Sequence, residues 1–119
     1  MYEITLKIDG KNQTFKRTDE PFLKDITQVL ILTQHQTKMY DKKDGPTDQD
    51  YRKNSDEVAQ FAVNFWNKQF NKEDVLNGAN KKAMAVISKV ADDCLGSSDE
   101  DNGNDANLKK LPNSQSKSQ

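Results

Sequence analysis

One cysteine, one histidine and one tryptophan in 119 residues leave little room for several common kinds of protein. A lone Cys94 excludes an intramolecular disulfide, and with His35 as the only imidazole there is no Cys/His grouping at metal-ligand spacing. That usage fits a reducing cytoplasm. Long apolar runs are missing as well. The longest, Val29-Leu30-Ile31-Leu32, falls far below the roughly 20 residues that a membrane-spanning helix needs. The opening MYEITLKIDG has neither the basic start nor the apolar segment of an export signal, so the chain is expected to be soluble and unexported. An excess of one charge is absent too. Lys and Arg number 18 against 19 Asp and Glu, a net charge of -1, and the basic residues are scattered, which argues against nucleic acid as a partner. Apolar residues make up 33% and charged residues 31%, so the length supports one small domain with part of the chain outside its core.

Catalytic equipment is equally thin. An enzyme needs a nucleophile with a base, paired carboxylates in a cleft, a metal or a phosphate cradle. His35 lies between Gln34 and Gln36 on the polar side of a predicted helix and reads as a solvated side chain. Cys94 falls on an apolar stripe, where a free thiol behaves as a small hydrophobe. The acidic stretch with Asp99, Glu100, Asp101 and Asp105 resembles a calcium loop only at a glance. With Gly103 in the sixth place, the first is Ser98 and the twelfth is Lys109. Residues 41–50 fail the same test, because Gly45 is followed by Pro46 and the acids fall out of register. No catalytic, cofactor-binding or metal-binding residue is expected, and the chain does not read as an enzyme.

What is present is organised along the chain. Tyr2, Ile4, Leu6 and Ile8 alternate with polar residues, a strand pattern, and Asp9-Gly10 supplies a hairpin turn that sets Phe15 opposite Ile4. A helix is predicted from Pro21 or Phe22 to about Met39, with Phe22, Leu23, Ile26, Val29, Leu30 and Tyr40 on its core face and Ile31, Leu32 and Met39 off it. The polar residues 41–55 read as a loop, with Asn54 or Ser55 capping the next helix. After it, Asn71 as N-cap, Asp74 three residues on, a Phe70/Val75 staple and Gly78 describe a rigid corner. Asn80 opens a last helix with Ala83, Met84, Ile87, Val90, Ala91, Cys94 and Leu95 in one stripe. The fold class is mainly α with a small N-terminal β-hairpin (α+β). A compact helical domain over residues 1–96 is followed by a disordered polar tail over 97–119, which is too poor in apolar residues to offset its ordering.

The helix over residues 54–70 stands out. Val58, Ala59, Phe61, Ala62, Val63, Phe65, Trp66 and Phe70 cover an apolar arc of roughly 200°, where about 100° suffices for one core-facing stripe. Val58, Phe61, Ala62 and Phe65 are expected to face the core against Ala83, Ile87 and Val90. Val63, Trp66 and Phe70, joined by Ile31 and Leu32 of the first helix, are the candidate partner-binding residues.

The order of pieces, a YEITLKIDGK hairpin, an EPFLKDITQVLILTQ helix and above all FAVNFWNKQFNKEDVLNG, resembles the tail assembly chaperones of long non-contractile-tailed phages of Gram-positive bacteria. The resemblance covers residues 1–96. It implies a small helical protein of the host cytoplasm, absent from the mature virion, that binds the hydrophobic tape measure protein and keeps it soluble for tail tube polymerisation. It also implies a longer form, made by a frameshift near the gene's end, that engages the tail tube protein; Lys109-Lys110 can be encoded by an uninterrupted run of A, the sort of sequence on which ribosomes slip. Self-association is compatible with the excess apolar surface. No membrane and no nucleic acid enter the reading. The rival expectations are a structural tail or connector protein retained in the virion and a small DNA-binding regulator.

Overall fold

A computed structural model of the protein describes residues 1–96; the expected polar tail, with its acidic stretch and Lys109-Lys110, lies outside the described residues. Strands β1 (Tyr2–Ile8) and β2 (Lys11–Arg17) are followed by helices α1 (Leu23–Tyr40), α2 (Asp48–Phe65), α3 (Lys72–Gly78) and α4 (Lys81–Cys94). The strands pair antiparallel with Ile4 opposite Phe15, the register that the Asp9-Gly10 loop requires. Asp9 and Gly10 have φ of 52° and 78°, the left-handed pair of a primed hairpin turn whose twist matches the strands. Two strands alone are marginal in water. Here α3 and α4 pack on β1 and bury Ile4 and Leu6.

Gly78 ends the corner helix as the sequence predicts, being its last helical residue, and a second constraint also fixes it. A Cβ at this position would collide with the Lys7 carbonyl oxygen of β1 and lie 3.1 Å from that residue's carbonyl carbon and amide nitrogen. Glycine lets α3 press directly onto the strand backbone. Gly78→Ala is therefore expected to destabilise by about 1–3 kcal/mol through forced displacement of α3, against a helix-propensity gain of at most about 1 kcal/mol. A urea midpoint unchanged or raised would contradict that contact.

Two helix ends differ from the sequence reading, each for a local reason. Helix α2 begins at Asp48 rather than near Ser55, so the connecting loop shrinks to residues 41–47. Thr47 Oγ1 accepts the Asp50 N–H at 3.1 Å, and the Asp50 carboxylate accepts the Thr47 N–H at 2.9 Å. This is a full capping box. A hydrogen bond from Lys42 and then the Thr47 amide draw the Asp50 carboxyl down to about 2. The first two turns lie largely in solvent, so no apolar period marks them.

The other end comes five residues early, at Phe65. Asn67 and Lys68 have φ of 59° and 60°. The Lys68 N–H reaches the Val63 carbonyl at 2.8 Å and the Asn67 N–H reaches that of Asn64 at 3.1 Å, the paired bonds of a Schellman stop with Asn in the left-handed position. The reversal swings Trp66 and Phe70 back over the hairpin. The corner itself follows the sequence: Asn71 and Asp74 exchange cap bonds of 2.9 Å each, and Phe70 and Val75 are both buried. Asn80 caps α4 through the Ala83 N–H at 2.9 Å. On α4, Ala83, Ile87, Val90 and Cys94 are buried, whereas Met84 and Leu95 at the stripe's edge are exposed.

Helix α1 is rotated from its expected orientation. Its buried residues are Asp25, Val29, Leu32 and Met39, while Phe22, Leu23, Leu30 and Tyr40 face solvent. The cause is an ion pair that the apolar pattern hid. Arg17 closes β2 on the same face as Phe15, and its Nη2 lies 3.0 Å from Asp25 Oδ2 with both side chains almost wholly buried. The same guanidinium donates to the carbonyls of Phe65 at 2.7 Å, Asp19 at 3.0 Å and Glu20 at 2.8 Å. It also stacks 4.1 Å from the centre of the Phe65 ring. Asp25 in turn accepts the Phe22 N–H at 2.8 Å, starting α1 without a capping side chain at Phe22. Anchoring Asp25 inward carries Val29, Leu32 and Met39 inward with it, at helical spacings of four, seven and fourteen residues.

Candidate interaction surface

Four of the five residues expected to meet a partner lie in the core. Trp66 is 0% exposed, Val63 and Phe70 6% each, and Leu32 8%. This corrects the outward face drawn for α2. The helical wheel assumed one continuous helix to Phe70, and the stop after Phe65 removes Trp66 and Phe70 from that wheel. The Trp66 ring stands edge-on to Phe65 at 5.0 Å and its Nε1–H donates to the Tyr2 carbonyl at 3.3 Å. Phe70 lies 4.9 Å from Phe15 across the hairpin. Leu32 follows the rotation of α1. Phe61, Ala62 and Phe65 are buried in one cluster with Ala83, Ile87 and Val90, and Val58 is partly buried against it, as the sequence predicts.

Ile31, the fifth, is 49% exposed. It belongs to an outward strip of α1 with Leu23, 77% exposed, and Leu30, 55% exposed. Leu23 and Leu30, seven residues apart, project within about 20° of each other, and Ile31 lies roughly 80° round from Leu23. Charges of both signs stand near each end of this helix, with Asp41 exposed as its C-cap. Asp19 and Glu20 are exposed just before its start, and Arg17 fixes that segment by holding both of their backbone carbonyls. Lys24 and Lys38 are exposed on the helix, whose one acid, Asp25, is buried.

Beyond Ile31 the strip runs into a groove of about 180 Å³ between α1 and α2, lined by His35, Lys38, Met39, Lys42, Asp50, Lys53, Asn54 and Glu57. His35 Nδ1 lies 2.9 Å from Glu57 and Lys42 Nζ 2.7 Å from Asp50, so both acids are engaged. Among the described residues, Lys38 and Lys53 have no ion-pair partner. His35 thus serves as a surface link between helices.

Cys94 is buried, and burial first, then the nearby Asp25 charge, push its thiol up to about 11, away from the reactive thiolate. Among the described residues no three His, Cys, Asp or Glu side chains come together to hold a metal, and no helix is long and apolar enough to cross a membrane. What the surface offers is contact: an exposed apolar strip flanked at both ends by charges of both signs. No curated protein and no solved structure matches the chain. A family described as phage tail chaperone protein does match, over residues 1–111, through the whole described fold and past Gly96. The chain belongs to that phage tail chaperone family.

Proposed function

We propose that the protein binds the tape measure protein in the host cytoplasm and keeps it soluble until tail tube subunits polymerise around it. The observation that carries this reading is membership of a tail chaperone family across residues 1–111. The physical task is one of contact. A long chain with apolar helical segments aggregates when those segments meet one another, and a small soluble domain that covers them lowers the concentration of the free form. A longer form made by frameshifting, which engages the tail tube protein, completes the proposal.

Co-expression tests it. With this protein present, most of the tape measure protein is expected in the soluble fraction and in complex, and without it in the pellet. Equal solubility in both cases would remove the proposed client. Mass spectrometry of purified particles is expected to find the tape measure and tube proteins but not this chain. Recovery of the chain in tail stoichiometry would instead favour a structural tail protein.

A further inference from the structure

We propose that the outer halves of α1 and α2, residues 33–57, form an arm that opens and closes as one unit while the hairpin, α3 and α4 stay folded. Across these residues Met39 alone is buried, and it stands apart from the core cluster that takes in Val29, Leu32, Ala59 and Phe61. Apolar burial, the main force that holds helices together in water, therefore stops where the arm begins. What joins the helices beyond Leu32 and Ala59 is polar. His35 Nδ1 meets the two Glu57 oxygens at 3.1 and 2.9 Å, the Gln36 side-chain amide donates to Asn54 Oδ1 at 3.0 Å, and Lys42 Nζ donates to Asp50 at 2.7 Å. These links form one antiparallel ladder, residues 35, 36 and 42 of α1 against 57, 54 and 50 of α2. The His35 and Lys42 side chains are 42% and 49% exposed, so water competes for both ends of the ladder and each link is weak. Lys72 of α3 reaches Asp56 at 4.0 Å, again with both side chains open to solvent. Once parted, about two turns of α1 and three of α2 lose their packing, and helix of that length is marginal in water. Parting and unwinding therefore go together. The open arm uncovers Met39 and the edge of Leu32, seven residues apart on one side of α1, so it presents more apolar surface than the closed one.

Amide hydrogen exchange of the full chain, resolved by NMR, tests it. The helical amides of residues 36–40 and 52–57 are expected to be protected at least about 100-fold less than those of residues 88–91 in α4, to a common degree on both helices, and with little dependence on low urea because little surface opens. Two variants separate a cooperative arm from a generally weak fold and from fraying ends. Ile87→Val trims a core contact that survives in the open arm, so it is expected to lower protection in α4 severalfold and to leave the arm unchanged. Met39→Ala removes the arm's one buried side chain and leaves a better helix former, so it is expected to lower protection in the outer half of α2 by the same factor, about tenfold or more, as in the outer half of α1. A closing variant works in the opposite direction. His35→Leu with Glu57→Leu replaces the polar link by an apolar contact and is expected to raise protection on both sides of the arm about tenfold. Equal protection of the arm and α4 in the wild type, or an Ile87→Val effect shared by both, overturns the arm. So does a Met39→Ala effect confined to α1, which is the signature of ends that fray separately. No partner is present in the experiment, so its result is independent of whether the tape measure protein is the client.

Discussion

Trp66→Ala is expected to destabilise the folded chain by about 3–5 kcal/mol, as much as Phe65→Ala, because both side chains are fully buried. That is a large share of the roughly 5–15 kcal/mol that holds a domain of this size together. The indole does more than fill volume. It stands edge-on to Phe65 at 5.0 Å, lies 6.2 Å from Phe70, and donates its N–H to the Tyr2 carbonyl at 3.3 Å, tying the end of α2 to the first residue of β1. Alanine removes the ring contacts, the hydrogen bond and the wedge that keeps the Schellman stop seated over the hairpin. Trp66→Phe keeps much of the packing and loses the donor, so about 1–2 kcal/mol is expected, the scale of a buried hydrogen bond with its neighbouring void. Urea denaturation followed by far-UV circular dichroism separates the outcomes. A Trp66→Ala chain within about 1 kcal/mol of wild type would mean that the indole is not in the core, and the partner-facing role first expected for Trp66 would return.

The elements written in local chemistry are the ones that could be read from the chain. The hairpin register follows from Asp9-Gly10 and the alternation of Tyr2 to Ile8, and the corner follows from Asn71 and Asp74, since caps and primed turns act within four residues. The start of α2 obeys the same chemistry at Thr47 and Asp50, but its first turns are solvent-exposed and apolar periodicity passes over them. Its end was legible in principle, because Asn67 is a residue type favoured at a left-handed helix stop. The aromatics around it outweighed that signal. What the sequence could not display is the rotation of α1, a consequence of two charges 8 residues apart meeting in the core. A wheel that scores only apolar residues assigns Asp25 to solvent and so turns the helix the wrong way. The candidate surface was lost with it: of the residues singled out for docking, Ile31 alone stays outside.

Breaking the Arg17–Asp25 pair is the second large effect expected. Arg17→Met leaves the Asp25 carboxylate buried with the Phe22 amide as its remaining partner, and strips a donor from the carbonyls of Asp19, Glu20 and Phe65. Loss of one member of a buried ion pair costs about 3–5 kcal/mol, and the upper half of that range is expected here because three acceptors are affected as well. Asp25→Asn should cost less. The guanidinium keeps its three carbonyls and the face of Phe65 at 4.1 Å, and an asparagine oxygen can still receive the Phe22 N–H. In the double variant Arg17→Met, Asp25→Leu no charge remains to be buried, and apolar side chains fill a site walled by Phe65 and Phe22. Its loss is therefore expected to fall short of the sum of the two single losses by about 1–3 kcal/mol, the non-additivity of groups that act as one unit. Strict additivity, or single losses below about 1 kcal/mol, would show that solvent reaches the pair and that it does not set the rotation of α1. The same variants report on the surface. If the pair holds α1 in place, Arg17→Met should also disturb the strip of Leu23, Leu30 and Ile31, seen as faster amide exchange along α1 under conditions where α4 stays protected.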